Sequence, residues 1–398
     1  MKRGVWFQYG SGSQKIMLDL AKTGVGQGAV FSPRDISQNS MITNAKKLKK
    51  LGFELMIDQQ YHIPSYSNKN LQSYSMNNHR NRISKLVEID SDGLLSLQRD
   101  LLFINEKVGT NAVIAPAVIY EASDDKITDL NEKLFKAAKQ VGDNLGIPTY
   151  ASIIIGRSAV ISDSNIMALL SDITRLNADG WYFSFEFSDE KMPSNPDEIY
   201  SFLKAGLLLA NTGKPLFHAF AGPLGLLSYA FGSTAVGVGQ IKNLWQFTRS
   251  RWVVRTTKFI PKKHPPKFFS YPLWGNIVHP DETGNLIPIL RSKILEYSPY
   301  SEQVEKEIDN WPSPYPKKHL LYILSKQIEE IASKNNIRES AIYAIKKLNQ
   351  SQKIQEEIIN SYITIRDPLL KVQKNWLRGL NKYVQDMNDE FDYLGFLK

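Results

Sequence analysis

PLFHAFAGPLGLLSYAFGSTAVGVGQIKNLWQFTRSRWVVR, residues 215–255, holds two short apolar runs, PLFHAFAG and AVGVGQ, joined by a glycine-punctuated helical link. Such near-continuous apolar runs are the mark of strands in a parallel sheet covered on both faces. Working outward toward the N-terminus, the same unit recurs. GVWFQYG (4–10), GAVFSP (28–33), FELMIDQQ (53–60), AVIAPAVIYE (112–121), YASIIIG (150–156) and GWYFSFEF (180–187) are each followed by an amphipathic stretch. Gly52, Gly109, Gly146, Gly180 and Gly213 punctuate the boundaries. Eight βα units in about 250 residues match a TIM-type (βα)8 barrel, with a doubly wound open sheet as the competing architecture. The reading is therefore an α/β chain with a (βα)8 barrel over 1–255 and a C-terminal α-helical domain. Residues 256–317 form a Pro-, Lys- and aromatic-rich wrap or linker, and 318–398 carry apolar residues at three- and four-residue spacing, predicting three helices.

The same stretch dominates the charge pattern. Between Ile199 and Pro280 there is no Asp or Glu, yet the window holds ten Lys and Arg, against a net charge of +9 for all 398 residues. A localised basic excess points to polyphosphate partners, DNA or RNA first and a phosphorylated small molecule second. An apolar fraction of 42% with 11% aromatics is ample for a core. The chain has no cysteine, which excludes disulfides, thiolate zinc sites and a cysteine nucleophile. His62, His79, His264, His279 and His319 show no ligand spacing with carboxylates, so neither a metal nor a cofactor is expected. No apolar run approaches the roughly 18 residues of a membrane span, and the N-terminus is too polar for a signal peptide. The expectation is a soluble, cytoplasmic protein.

In a barrel, chemistry gathers at the C-terminal ends of the strands. Those ends supply Gln8, Arg34, Asp58, Gln59, Gln60, Glu121, Arg157, Glu186, His218, Gln240 and Lys242. The loops after the last two strands, AGPLG (221–225) and GVGQIKN (237–243), place Gly222, Gly225, Gly237 and Gly239 where barrels commonly cradle phosphate on backbone N–H groups. Tight strand-to-helix turns are the alternative use of those glycines. A helix carrying Lys242, Arg249 and Arg251 is expected next. Asp58, with the amides of Gln59 and Gln60, can read the edge of a base or sugar. Glu121 and Glu186 can pair as acid and base for glycosidic cleavage. His218, flanked by apolar residues, is either a buried hydrogen-bonded side chain or a general acid. Beyond the barrel, Arg249, Arg251, Arg255, Lys262 and Lys263 interleave with Trp252, Phe259, Phe268 and Trp274, as in surfaces that hold phosphates and stack bases. The polar insertion Ile63–Arg82 reads as a lid or contact loop, or as disorder.

LGFELMIDQQ (51–60) resembles the strand of tRNA-guanine transglycosylases that ends in Asp-Ser-Gly-Gly-Phe-Gln, and SLQRDLLFINEKVGTNAVIAP (96–116) resembles that family's following helix and strand. The resemblance implies a (βα)8 barrel that exchanges a base in nucleic acid, with Asp58 as the base-binding group. The family's zinc-binding cysteines are missing, and no Asp stands in the late window where its nucleophile falls. Three functions follow: a transglycosylase-like enzyme on nucleic acid, a non-catalytic recognition subunit with protein partners, and a sugar-phosphate enzyme or glycosidase.

Overall fold

A computed structural model describes residues 1–86, 89–121, 125–160, 163–188, 192–252, 267–278, 282, 286–295, 297–306, 314–361, 363–365 and 368–387. Eight short strands form one sheet: β1 (Gly4–Gln8), β2 (Gly28–Phe31), β3 (Glu54–Ile57), β4 (Val113–Ile114), β5 (Thr149–Ile155), β6 (Gly180–Phe185), β7 (Leu216–Ala221) and β8 (Ala235–Val238). Their order is β3-β2-β1-β8-β7-β6-β5-β4, with β1 paired in parallel to both β2 and β8. First and last strands side by side make a barrel, and exclude the doubly wound alternative. Across the remaining seam, between β3 and β4, Asn111 makes the bridging bonds. Asn111 donates its backbone N–H to Leu55 O at 2.8 Å, and its Oδ1 accepts from Leu55 N at 2.9 Å. A side-chain amide thus stands in for the missing ladder rung.

Strand alternation sorts the side chains into two layers. Trp6, Val30, Met56, Ile114, Tyr150, Tyr182 and Phe217 fill the barrel interior. Tyr182 stacks on Phe217 with ring centroids 5.3 Å apart, and Trp6 meets Phe217 edge-on at 5.6 Å. The alternate residues, Phe7, Phe31 and Phe183 among them, pack outward against the helices.

Local signals explain the helices. Before helix Ser91–Val108, Asp90 accepts from Gly93 N at 2.7 Å, and Gly109 ends the helix at φ 64°. After β8 the expected helix is replaced by two single 3-10 turns, Lys242–Leu244 and Arg249–Trp252. The vacant place in the outer ring is taken from the tail. Helix Tyr315–Ala332 packs against β1 and against helices Gln14–Lys22 and Leu224–Ala230. Lys318 pairs with Asp19 at 2.7 Å there, while buried His319 faces Phe269 O at 2.9 Å through Nε2. Phe269 belongs to an antiparallel hairpin, β9 (Lys267–Ser270) with β10 (Gly275–Val278). Helices Ile337–Asn360 and Pro368–Asp386 follow, and Trp376 Nε1 of the second donates to Pro193 O at 2.6 Å. The tail is helical as expected, and it is built into the barrel's wall rather than standing apart. Among the described residues no helix is long and apolar enough to cross a membrane.

Candidate active site at the barrel mouth

From β8 the chain turns back over the C-terminal mouth. Gly222 N donates to Trp245 O at 3.1 Å, and Phe247 forms a parallel bridge with Glu186 at the end of β6. Phe247 and Trp252 then lie 4.8 Å apart over the barrel axis. They meet Phe220 at 5.9 and 6.2 Å and the His62 ring at 5.5 and 6.0 Å. Phe220 reaches this cluster because β7 shifts register between His218 and Ala221, and its backbone adopts φ 54°. A bulge at a strand end re-aims a side chain in this way. The result is an aromatic plug across the mouth.

Under the plug lies a buried polar array. Asp58 accepts from Gln60 N at 2.9 Å and from the Tyr182 hydroxyl at 3.0 Å, and faces His62 Nε2 at 3.3 Å. Burial opposes ionisation of Asp58, but the neighbouring His62, the Gln60 N–H and the Tyr182 hydroxyl outweigh it and hold the carboxyl below its usual range. Burial and the Asp58 charge drive the Tyr182 hydroxyl well above its ordinary value. Gln8 Nε2 donates to that hydroxyl at 3.4 Å. Gln60, at φ 54°, finds no hydrogen-bond partner for either atom of its amide among the described residues. Gln59, with its amide oriented to satisfy its neighbours, donates to Ile114 O at 2.8 Å and so braces the β3–β4 seam. The guanidinium of Arg80, buried in the insertion, donates to Gln60 O at 2.7 Å and Ile63 O at 3.0 Å. The insertion is therefore ordered and supports the β3 loop. Asp58 is 1% exposed. Asp58, expected to read the edge of a base or sugar, instead lies under the plug and caps its own loop through Gln60 N.

The open chemistry lies at the rim, where the plug divides the mouth into two polar basins that share Ser250. One, of about 370 Å³, is lined by Glu121, Arg157, Ser158, Glu186, Thr248, Arg249 and Ser250. Arg249 Nε donates to Glu186 Oε1 at 2.8 Å and Oε2 at 2.9 Å, while its Nη2 reaches Glu121 Oε1. Hydrogen bonds to Glu186 and Glu121 raise the guanidinium's pKa further, against the effect of partial burial. Arg157 gives its backbone N–H to Glu186 Oε2 at 3.2 Å, and the Ser158 hydroxyl donates to Glu121 Oε2. Gly156 makes room for this: a Cβ there would meet Glu121 Oε2 at 2.8 Å. The second basin, of about 510 Å³, includes Ser11, Arg34, Asp35, Tyr66 and Arg251. Asp35 binds Arg34 Nη1 at 2.8 Å and Arg251 Nη2 at 2.5 Å.

Several expectations are corrected. The glycine loops do not present an open phosphate cradle. A Cβ at Gly222 would lie 2.5 Å from Trp245 Cβ, and one at Gly239 2.0 Å from Leu244 Cβ. Trp245 and Leu244 occupy that ground, and Trp245 Nε1 donates to Gly239 O at 2.9 Å. Gly225 packs on Ala221, and Gly237 faces Gln8 and Phe217 inside the barrel. Lys242 lies over the Trp245 ring at 5.7 Å, and Gln240 Nε2 donates to Ser11 O at 3.1 Å, tying the β8 and β1 loops together. His218 is not at the mouth. It sits in the strand–helix layer 4.8 Å from the Phe202 ring, and burial pushes its pKa down to about 3. Two cations of the basic window are paired in space with acids from elsewhere: Glu121 and Glu186 hold Arg249, and Asp35 holds Arg251. Arg255, Lys262 and Lys263 lie outside the described residues. Ser158, Thr248, Ser250, His62 and Tyr182 join the site without having been singled out by sequence. Tyr182 was readable, since Tyr182, Ser184 and Glu186 share one face of a strand. Among the described residues no cluster of His, Asp and Glu is arranged to hold a metal ion.

No family profile and no curated protein matches this sequence. Solved structures of similar fold include the type I 3-dehydroquinate dehydratase of Clostridium difficile, at 11% identity over 63% of this chain and 89% of that one, TM-score 0.37. A GH18 chitinase from Pseudoalteromonas aurantia aligns at 12% identity over 60% of this chain and 94% of its own, TM-score 0.38. An L-ribulose 3-epimerase aligns at 12% identity over 84% and 99%, TM-score 0.34. The strand order itself, rather than these likenesses, makes the chain a (βα)8-type barrel with added C-terminal helices.

Proposed function

We propose that this protein cleaves a glycosidic bond in a small polyhydroxylated ligand held at the barrel mouth, with Glu186 and Glu121 as its two working carboxylates. The carrying observation is that one guanidinium, Arg249, spans both carboxylates over an open polar cavity of about 370 Å³. Two carboxylates bridged by one arginine head are read here as a retaining pair, the class in which one carboxylate acts as nucleophile. Glu186 suits that part: it is 2% exposed and fixed by Arg249 and by Arg157 N. Glu121 suits the acid–base part, standing nearer solvent with Ser158 orienting it. Glu186 attacks the anomeric carbon as the bond to the leaving oxygen breaks, and Glu121 gives that oxygen its proton. Water, deprotonated by Glu121, then releases the sugar from Glu186. A substrate hydroxyl displaces Arg249 Nη2 from Glu121 on entry, while Nε stays on Glu186. The volume suits a compact ligand rather than a polymer track.

The nucleic-acid reading lacks this support. Arg249 is held by Glu121 and Glu186 and Arg251 is 5% exposed, whereas a phosphate track needs a row of cations facing solvent.

The test is hydrolysis of a panel of 4-nitrophenyl glycosides by the wild-type protein and by Glu121→Gln and Glu186→Gln. Turnover of at least one glycoside, reduced about 10²–10⁴-fold in both variants, is expected. Turnover unaffected by either substitution, or none with any glycoside, would overturn the reading.

A further inference from the structure

The two basins beside Ser250 differ in charge. Glu121 and Glu186 balance Arg157 and Arg249 in the first. In the second, Arg34 and Arg251 face one carboxylate, Asp35, and both of its oxygens are already taken. Ser32 adds a third hydrogen bond to that carboxylate at 2.8 Å. Arg251 is 5% exposed, and its Nη1 has no acceptor among the described residues; Arg34 Nε has none either. Buried guanidinium N–H groups without acceptors are costly, and a planar anion with two oxygens is the partner they fit best. Desolvation pulls the Arg251 pKa downward, with the charges of Asp35 and of buried Asp58 opposing it. At the base of the basin the Arg34 guanidinium lies 5.4 Å from the Tyr66 ring centre, and Asn68 and Asn70 donate to Arg34 O at 3.0 and 3.1 Å.

We propose that this second basin is an anion subsite for the carboxylate of an acidic sugar, a uronate, whose neighbouring unit lies between Glu121 and Glu186. The proposal rests on the glycosidic reading of the first basin. Ser250 lines both cavities, so a ligand that crosses it links them. One unit then places its linkage at the carboxylate pair, while the acidic unit anchors on Arg34 and Arg251. A neutral sugar leaves these guanidinium groups unmatched.

Titration of the whole protein by calorimetry with D-glucuronate, D-galacturonate, D-glucose and inorganic phosphate tests this. A uronate is expected to bind on the order of tenfold more tightly than glucose, the scale of one charged hydrogen bond, with the preference fading in high salt. Arg34→Gln should erase that preference, and so should Ser11→Glu, which neutralises the basin from an exposed rim position. Glu186→Gln should leave it intact. Equal binding of uronate and glucose, a preference untouched in both Arg34→Gln and Ser11→Glu, or binding of phosphate in place of uronate would overturn the proposal. Uronate binding without hydrolysis of any glycoside would keep the subsite and remove the reaction. Hydrolysis of neutral glycosides without uronate preference would do the reverse.

Discussion

The loops after β7 and β8 and the loops after β4 and β6 close the same barrel mouth in opposite ways. On the first side, four glycines and a lysine look like a phosphate cradle in sequence, and the structure fills that ground with Trp245 and Leu244. On the second side, two glutamates separated by 65 positions, with little around them to flag a site, meet at one arginine over an open cavity. A glycine records only that something comes close. Whether that something is a ligand or the chain's own indole depends on a residue the motif does not contain.

The contrast can be broken by mutation, and the largest effect belongs to the filled side. Trp245→Ala removes a side chain that is 4% exposed and should lower unfolding free energy by about 4 kcal/mol in denaturant titrations. Arg157→Ala, on the open side with 46% of its side chain exposed, should change it by about 0.5 kcal/mol or less. Equal losses would mean that the two sides are not packed differently. Next in size, Gly239→Ala forces a Cβ against Leu244 and should cost about 3 kcal/mol. In the same protein Gly12→Ala meets no atom within 4 Å, but its φ of 75° makes it a strain-only control of about 1 kcal/mol.

A third prediction follows the titration of His218, which sequence had set among the mouth residues. Its folded pKa, about 3, lies below the ordinary 6.5. Between those values the unfolded chain binds a proton that the folded one does not, so stability falls as pH drops through that window. At pH 5 the loss relative to pH 7 is about 2 kcal/mol from this residue. His319, lowered to about 4 by burial, adds a similar amount. His218→Leu should flatten the pH 5–7 stability profile by its share, while glycoside turnover at pH 7 persists. Loss of turnover in that variant with its fold intact would return His218 to the mouth. The last effect is electrostatic. In a double-mutant cycle of Arg249→Met with Glu186→Gln, coupling of about 1 kcal/mol is expected, since Arg249 is partly exposed.

These comparisons also mark what the sequence discloses. The barrel was legible because each strand is a separate apolar run with its own glycine boundary, and the parallel sheet uses each run locally. The ring closure depended on Asn111, an ordinary polar residue whose side chain replaces a backbone rung, and nothing in its neighbourhood announces that. The missing eighth helix was misread because GVGQIKNLWQFTRSRW has a helix-like mixture of apolar and basic residues. In the structure its apolar members face the mouth and its arginines reach across to Asp35 after β2 and Glu186 after β6. Tyr315–Ala332, some 60 residues beyond, supplies the helix instead. Glu121 and Glu186 could be named in advance because they stand at the C-terminal ends of strand-like runs. Their partner was hidden, because charge summed along a chain does not see pairing across it. The acid-free window carries ten cations in sequence, and its two arginines at the mouth face three acids in space.

The central claim is that the working end of this barrel is the Glu121–Glu186 basin rather than the glycine loops. A crystal soaked together with mixed neutral and acidic disaccharides and inorganic phosphate tests it most directly. The account predicts sugar density between Glu121 and Glu186, with Arg249 drawn off Glu121. Phosphate bound at Gly222 and Gly239, with Trp245 displaced and the carboxylate basin empty, would contradict it.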